Sequence, residues 1–390
     1  MTHLPGSRRK VIYLSGTRAD FGLMQSTLQC LGNLLDLSVA VTGTHLDVGF
    51  GHTINEIHGA GIRVCGEIPV NVTTRTGQGM AQALGTCLRG LTELLTREKP
   101  DVLLLLGDRG EMLAGAIAAL HLGIVCVHIH GGERSGTVDE PMRHAISKLS
   151  LYHCVATPGS RKRLELMGEN PANIVVTGAP GLDGLIELAA MPKEHCLHAL
   201  GLLVPNVLHA LPMAQAFVLV LFHPVVQQAV DAYTQTSAIC LALQAVGLPV
   251  VWLAPNSDAG SLDVLRALDV CPLPAGSLRI GHLSRPLFCA AMRYCAVMVG
   301  NSSAGIIEAA TLGTPVVNVG QRQHLRERNA NVVDAPAAAD AVRDAVQSCI
   351  AHGSWPRQNV YGDGRAGERI AHFVSTLSID TSVLEKVNTY

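Results

Sequence analysis

The sequence is poor in charge, in aromatic residues and in paired cysteines. Charged residues occupy 15% of its 390 positions, aromatic residues occupy 4%, and the net charge is -2. So balanced a composition argues against broad binding to nucleic acid or to a membrane surface. The hydrophobic fraction of 48% excludes an intrinsically disordered chain.

The eleven cysteines stand singly, without a C-x-x-C pair and without the cysteine and histidine spacing of a zinc site. An odd number of scattered cysteines is typical of buried thiols in a reducing compartment. The longest apolar stretch, 211–222, is interrupted by Pro212 and Gln215. It is shorter than the roughly 20 residues that span a bilayer. Residues 11–14 are too few for the apolar core of a signal peptide. We therefore expect a soluble cytoplasmic protein without a metal site.

Short apolar runs alternate with longer segments of helical period. The runs predict strands at 11–14, 37–41, 102–106, 124–129, 152–156, 174–177, 217–222, 250–253, 296–299 and 316–319. The segments between them predict helices at 21–31, 80–96, 111–120, 140–149 and 160–167, and near 226–245, 261–269, 284–293 and 303–312. Continuous hydrophobicity within the strands indicates burial on both faces, as in a parallel sheet.

The alternation predicts an α/β protein with two doubly wound, Rossmann-like domains around a central cleft. A polar stretch from Pro192 to Pro212 predicts a linker. We place the first domain at 1–185 and the second at 186–365. The segment 366–390 is expected to carry a helix that packs back on the first domain. Ligands of such sheets bind at the carboxyl ends of the strands, so the residues that follow each run are the candidate site.

Two turns in the first half carry candidate residues. Gly16-Thr17-Arg18 follows the first strand, and its free N–H groups and guanidinium suit a phosphate. An ordinary turn with a solvated arginine is the alternative. Asp108 and Arg109 follow the strand at 102–106. Asp108 is a candidate general base, or alternatively the cap of the next helix.

The segment 128–144 is dense in titratable groups: His128, His130, Glu133, Asp139, Arg143 and His144. Strand alternation predicts that His128 and His130 share one face. Asp139 is expected to cap the following helix, with Arg143 and His144 one turn further along. This density favours catalysis over scaffolding. A metal site is the alternative, but no clear third ligand completes it.

The second half offers a candidate anion site. His223 and Asn256 each follow an apolar strand, although a lone histidine there is often a satisfied core residue. Ser302 and Ser303 open a helix, which predicts a pyrophosphate site at its N-terminus. Glu308 is placed to accept hydrogen bonds from a ribose. The alternative is a doubled helix cap with a surface glutamate. Arg322 adds a phosphate donor after the next strand.

Together these segments resemble the sialic-acid-type hydrolysing UDP-N-acetylglucosamine 2-epimerases. The resemblance extends from residue 11 to about 335. It is carried by GTRADFG (16–22), VTGTHL (41–46), GDR with a following Glu (107–111), HGGE-x-SGTVDE-x-x-RHAISKLS (130–150), FHPV (222–225), PN-x-D-x-G (255–260), GNSSAGI-x-EA-x-x-x-G-x-P (300–315) and G-x-RQ (320–323).

The resemblance implies a GT-B architecture with UDP held mainly by the second domain. It also implies a homo-oligomer, a dimer or tetramer, and a reaction that needs no cofactor. Removal of the C2 proton and departure of UDP give a 2-acetamidoglucal. Water then adds to form N-acetylmannosamine. Asp108 and Asp139 match catalytic carboxylates of the family. The residues that match nucleotide-binding positions are Arg18, Arg109, His223, Asn256, Ser302, Ser303, Glu308 and Arg322. His223 is also expected to balance charge on the departing phosphate.

One position departs from the family pattern. His130 stands where many members carry the first glutamate of HIEGGE, while Glu133 matches the second. A histidine here resembles the branch that acts on UDP-2,4-diacetamido-2,4,6-trideoxy sugars and leads to legionaminic acid, whereas SGTVDE resembles the sialic-acid branch. We expect UDP-N-acetylglucosamine as the substrate, with UDP-N,N'-diacetylbacillosamine as the alternative. A GT-B glycosyltransferase and a catalytically weak UDP-sugar-binding protein are more distant alternatives.

Overall fold

A computed structural model describes residues 8–74, 76–136, 138–203, 216–256, 258–379 and 385–390. The strands are β1 (Lys10–Ser15), β2 (Asp36–Thr42), β3 (Val64–Ile68), β4 (Val102–Leu106), β5 (Val125–Ile129), β6 (Tyr152–Val155), β7 (Ile174–Val176), β8 (Val218–Leu221), β9 (Val250–Leu253), β10 (Leu278–Ile280), β11 (Val297–Gly300), β12 (Val316–Val319) and β13 (Val332–Ala335). The helices are α1 (Arg18–Leu34), α2 (Ile54–Gly59), α3 (Gly77–Glu98), α4 (Gly110–Leu122), α5 (Asp139–Leu149), α6 (Pro158–Leu166), α7 (Leu185–Leu188), α8 (Lys193–Leu202), α9 (Ala232–Val246), α10 (Ser261–Val270), α11 (Arg285–Tyr294), α12 (Ser303–Ile307), α13 (Ala309–Leu312), α14 (Ala339–His352) and α15 (Ala366–Thr376).

The strands form two parallel sheets, in the orders β3-β2-β1-β4-β5-β6-β7 and β10-β9-β8-β11-β12-β13. We call the first sheet with its helices the first lobe, and the second sheet with its helices the second lobe. In each sheet the strand order reverses beside the first strand, between β1 and β4 and between β8 and β11. Such a switch point opens a crevice at the carboxyl ends of the strands. The predicted two-sheet α/β architecture is confirmed.

The strand β4 shows why continuous apolar runs form central strands. Val102, Leu104 and Leu106 pack into the cluster on one face of the first sheet, and Leu103 and Leu105 pack into the cluster on the other. Each such side chain contributes roughly 1.5–3 kcal/mol when fully buried. Both faces of the sheet are therefore covered, and its binding groups are confined to its ends.

The predicted linker at 192–212 is wrong where the structure describes it. Its first half is the helix α8, which packs against α11 because Cys196, Leu197 and Leu200 are buried. Residues 204–212 of the predicted linker lie outside the described residues. The helix α15 packs against α1, and the Asp183 carboxylate accepts hydrogen bonds from the first two backbone N–H groups of α15.

Most of the thiols are shielded from solvent. All eleven cysteines are free, and eight are buried, while Cys30, Cys65 and Cys271 are half-buried. Burial raises the pKa of Cys87 to about 12, so its thiol stays protonated at neutral pH. Within the described ranges, no helix has both the length and the apolar character needed to cross a membrane.

Candidate active site

The turn after β1 is stabilised by a capping box that was not predicted from the sequence. The Thr17 side chain accepts a hydrogen bond from the Asp20 N–H at 3.2 Å. The Asp20 carboxylate accepts from the N–H groups of Gly16 at 3.0 Å and Thr17 at 2.7 Å. The expectation that these N–H groups are free for an anion is therefore wrong. The T-x-x-D spacing carries the signal for this cap.

A buried polar chain lies behind that turn. The Ser15 hydroxyl donates to Asp20 and lies 2.9 Å from His45 Nε2, while His45 Nδ1 lies 2.8 Å from the Thr53 hydroxyl. Ser15 therefore accepts from Nε2–H, and Nδ1 accepts from Thr53. Burial lowers the pKa of His45 and raises the pKa of Asp20. These hydrogen bonds fix the turn from which Arg18 emerges.

Both arginines predicted at the first two turns are paired with carboxylates. Arg18 Nε lies 2.8 Å from a carboxylate oxygen of Glu56, and Arg109 Nε lies 2.8 Å from one of Glu111. Glu111, and further off Asp258 of the second lobe, raise the pKa of Arg109.

Asp108 is paired with a buried guanidinium rather than acting as a helix cap. The cap residue of α4 is Arg109, whose side chain makes no capping bond. The Asp108 carboxylate accepts from Arg143 Nη2, and Arg143 Nη1 donates to the Glu133 carbonyl at 3.0 Å. Burial alone would raise the pKa of Asp108, but Arg143 and two more distant arginines lower it to about 2. The carboxylate is ionised at neutral pH.

His128 is a positioning group for that carboxylate. Its ring is fully buried, with Nε2 2.7 Å from the Gly107 carbonyl oxygen and Nδ1 2.9 Å from the Ser147 hydroxyl. Burial lowers the pKa of His128 to about 3, so the ring is neutral. Nε2–H therefore donates to Gly107, immediately before Asp108.

His130 does not share the face predicted from strand alternation. The strand β5 ends at Ile129, and His130 adopts a left-handed φ of 66°. Its Nδ1 is hydrogen-bonded to the Glu133 carboxylate, which also forms an ion pair with Arg326 of the second lobe. Burial, with Arg326 and Arg143 adding to it, lowers the pKa of His130 to about 3. A neutral imidazole with Nδ1–H on Glu133 presents Nε2 as a proton acceptor.

Asp139 begins α5 but does not cap it. The cap residue is Val138, without a side-chain bond. Asp139 Oδ2 instead lies 3.4 Å from Arg322 Nη2 of the second lobe. Burial, followed by the nearby Asp108 carboxylate, raises the pKa of Asp139. The pKa values of two neighbouring carboxyl groups are thus shifted in opposite directions. This pattern suits one group acting as an acid and the other as a base.

His144 lies beside Glu140. Its Nε2 is 3.7 Å from Glu140 Oε1, and burial lowers its pKa. The other Glu140 oxygen accepts from the N–H groups of Ser135 and Gly136 at 2.8 and 2.9 Å. The titratable groups predicted at 128–144 therefore divide into two sets. One set faces the cleft, whereas Glu140, beside His144, holds the loop at 135–136.

The second lobe presents His223 in a fixed orientation. Asn301, a residue given no role from sequence, accepts from the His223 N–H and donates to its carbonyl oxygen, both at 2.8 Å. His223 Nδ1 accepts from the Asn256 N–H at 3.1 Å. Nε2 therefore carries the proton and is a hydrogen-bond donor. Burial, with Arg322 and Arg109 adding to it, lowers the pKa of His223 to about 3.

The helix opened by the two serines is short. Ser302 is the cap of α12 and accepts from the Ala304 N–H at 3.3 Å, and Ser303 is the first helical residue. The helix ends at Ile307, so the long helix predicted at 303–312 is divided at Glu308. Glu308 is 4% exposed and lies 2.5 Å from Arg285 Nη1, which excludes the surface alternative.

Arg322 joins the predicted sites of the two lobes. Its Nη1 donates to the carbonyl of Asn301, the residue before Ser302, at 3.2 Å, while Nη2 reaches Asp139 at 3.4 Å. The catalytic candidates of the first lobe and the serine turn of the second therefore meet in one cleft. Across the described residues, no group of three histidine, cysteine or acidic side chains could hold a metal ion.

Comparisons with known proteins agree with this arrangement. The family model described as UDP-N-acetylglucosamine 2-epimerase matches residues 31–375. The UDP-N,N'-diacetylbacillosamine 2-epimerase (hydrolyzing) of Legionella pneumophila is 44% identical over 98% of this chain and 100% of its own. The UDP-N-acetylglucosamine 2-epimerase of Neisseria meningitidis is 31% identical over 94% of this chain and 95% of its own.

A solved structure supports the fold independently of close sequence similarity. It is a UDP-GlcNAc 2-epimerase from Neisseria meningitidis bound to UDP-GlcNAc, with a TM-score of 0.76 and 18% identity. The alignment covers 94% of this chain and 99% of the solved one. The fold, the family match and the full-length relatives lead to one conclusion: the chain belongs to the UDP-N-acetylglucosamine 2-epimerase family.

Proposed function

We propose that the protein is a hydrolysing UDP-sugar 2-epimerase acting on UDP-N,N'-diacetylbacillosamine, in the synthesis of a sialic-acid-type sugar such as legionaminic acid. The relative named for that substrate is 44% identical over its full length. This reverses the order of substrates favoured from sequence. UDP-N-acetylglucosamine, named for the relative at 31% identity, is the second candidate.

The observation that carries the proposal is the position of Arg322. One guanidinium contacts Asp139 of the first lobe and the carbonyl that precedes Ser302 of the second. A nucleotide sugar whose diphosphate lies at Ser302 would place its sugar toward the carboxylates across the cleft. That geometry suits elimination of a diphosphate from C1 together with proton transfer at C2.

The roles we propose follow from the protonation states. A base among Asp108, Asp139 and the His130–Glu133 pair removes the C2 proton. The C1–O bond breaks, its electron pair leaves with UDP, and a C1–C2 double bond forms. Water then supplies a hydroxyl to C1, and a proton returns to C2 on the opposite face to give the free 2-epimer.

The proposed nucleotide contacts use cations and hydrogen-bond donors. His223 Nε2–H would donate to the departing phosphate as its charge grows. Arg109 and Arg322, together with Ser302 and Ser303, would bind the diphosphate. We further propose that Arg18, Asn256 and Glu308 hold the rest of the nucleotide, and that the division of roles follows the boundary at 185/186. A cytoplasmic homo-oligomer remains a prediction.

An NMR time course in D2O tests the proposal. The purified protein is incubated separately with UDP-N,N'-diacetylbacillosamine and with UDP-N-acetylglucosamine, without an acceptor. We expect UDP and a free manno-configured sugar with deuterium at C2, formed faster from the first substrate. Turnover only with an added acceptor would favour a glycosyltransferase. Binding of both nucleotide sugars without release of UDP would favour a binding protein.

A further inference from the structure

One ammonium group from the segment 385–390 lies at the C-terminal end of α5. Lys386 Nζ lies 3.1, 2.9 and 2.6 Å from the carbonyl oxygens of Ser147, Lys148 and Ser150. The last carbonyls of a helix have no intrahelical partner. A cation at this end also interacts favourably with the helix dipole. The Lys386 ammonium therefore both donates hydrogen bonds to these carbonyls and interacts favourably with the dipole of α5.

A buried carboxylate holds that ammonium in place. Glu169 is 1% exposed, and its oxygens lie 2.6 Å from Lys386 Nζ, 2.7 Å from Lys148 Nζ and 3.0 Å from His153 Nε2. Burial alone would raise the pKa of Glu169, but hydrogen bonds from these three groups lower it to about 2. Lys148 also donates to the Asn388 side chain at 2.6 Å. The segment 385–390 is thus held by two ammonium groups: its own Lys386, paired with Glu169, and Lys148 of α5, bonded to Asn388.

The same helix carries groups of the candidate active site at its other end. Asp139 is its first residue, and Arg143, one turn later, is paired with Asp108. Eleven residues span roughly 16 Å at 1.5 Å per residue, so Lys386 is remote from the substrate. Movement of α5 would nevertheless shift Asp139 and Arg143 relative to Asp108, which lies in the turn between β4 and α4.

A second route links Lys386 to Asp108 through side chains. The Ser147 carbonyl accepts from Lys386, and the Ser147 hydroxyl lies 2.9 Å from His128 Nδ1. His128 Nε2 lies 2.7 Å from the carbonyl oxygen of Gly107, which immediately precedes Asp108. Each link is a hydrogen bond between buried or half-buried groups.

We propose that Lys386 is a positioning residue for proton transfer: its ammonium fixes the C-terminal end of α5, and thereby the separation of Asp108 and Asp139. The proposal rests on the proposed function, because it assigns these carboxylates to the reaction. It concerns the turnover step and leaves nucleotide binding, which we assign mainly to the second lobe, unaffected.

Three variants of the full chain test the proposal. Lys386→Met removes the ammonium and keeps most of the side-chain length, Lys386→Arg keeps a cation, and Glu385→Gln is a matched control at a neighbouring exposed charge. We expect Lys386→Met to lower kcat about tenfold, within the roughly hundredfold cost of misplacing a catalytic group by 1 Å. Lys386→Arg should recover most of this loss, and Glu385→Gln should retain the wild-type kcat. The Kd for UDP, measured by calorimetry, should be the same in all four proteins.

Hydrogen exchange separates this proposal from the proposed function. In Lys386→Met, the backbone amides of α5 should exchange faster while those of α9 in the second lobe keep their wild-type rates. Unchanged kcat, unchanged exchange in α5, or a parallel loss of UDP affinity would each overturn the positioning role. If the wild type releases UDP from neither nucleotide sugar, the proposed function fails, and exchange then decides whether Lys386 still anchors α5.

Discussion

Replacing Asp108 with asparagine removes the charged partner of a buried guanidinium. The pKa of Asp108 lies at about 2, against an ordinary value of 3.8, because the attraction of Arg143, with Arg326 and Arg322 beyond it, outweighs the effect of burial. A lowering of that size corresponds to about 2 kcal/mol of stability. Arg143 would keep the Glu133 carbonyl as an acceptor. We therefore expect Asp108→Asn to lose about 2 to 4 kcal/mol of unfolding free energy at neutral pH.

The pH dependence of that loss has a definite sign. A carboxyl group with a depressed folded pKa stabilises the protein above its unfolded pKa, and the stabilisation disappears as the pH falls through the folded value. The difference between wild type and Asp108→Asn should therefore be complete above about pH 5 and about half as large near pH 3. Urea unfolding at the two pH values measures it.

Turnover should fall much further than binding. Loss of a general acid or base costs roughly 100- to 10,000-fold in rate. The Kd for UDP should stay within about twofold, because the proposed diphosphate contacts remain. Asp36→Asn is the control, since its exposed carboxylate lies 3.4 Å from Arg63, and it should cost less than about 1 kcal/mol. A stability difference that persists undiminished near pH 3, or loss of UDP binding, would refute the reasoning.

Three further predictions concern the rest of the cleft. Joint replacement of Ser302 and Ser303 by alanine should weaken UDP binding about tenfold in calorimetry, and unchanged affinity would place the diphosphate elsewhere. Arg326→Met leaves the Glu133 carboxylate buried beside His130 and should cost about 3 kcal/mol or more in urea unfolding. A loss below about 1 kcal/mol would show that the pair is not buried in solution. Because the pKa of His223 lies at about 3, the kcat/KM profile should show no His223 ionisation near pH 6.5. An inflection there that His223→Gln abolishes would contradict this assignment.

The strands that the sequence predicted differ physically from those it missed. Central strands such as β4 are apolar at every position because both faces are buried. The missed strands β3, β10 and β13 all lie at sheet edges, where Glu67, Arg279 and Asp334 are exposed. A polar residue in so short a run interrupts the apolar pattern from which a strand is predicted. The edge strand β7 was nevertheless predictable, since Ile174–Val176 consists of β-branched residues.

The site was predictable where chemistry follows a strand, and not where it depends on the opposite lobe. Asp108 and His223 each lie two residues beyond the end of a strand, β4 and β8, so the strand-end rule located them. Arg326 of the second lobe contributes through an ion pair to Glu133 of the first lobe, far away in sequence. In the sequence alone, such an arginine looks like an ordinary surface charge.

The uneven burial of the thiols provides a way to follow the two lobes in solution. Maleimide reagents require an accessible thiolate, so the eight buried cysteines should react slowly. Cys30 lies on α1 of the first lobe, and Cys271 follows α10 of the second. With Cys65 replaced by serine, a donor and acceptor fluorophore pair at these two positions would report the distance between the two lobes. Energy transfer recorded while UDP is added would then show whether the two lobes move relative to each other.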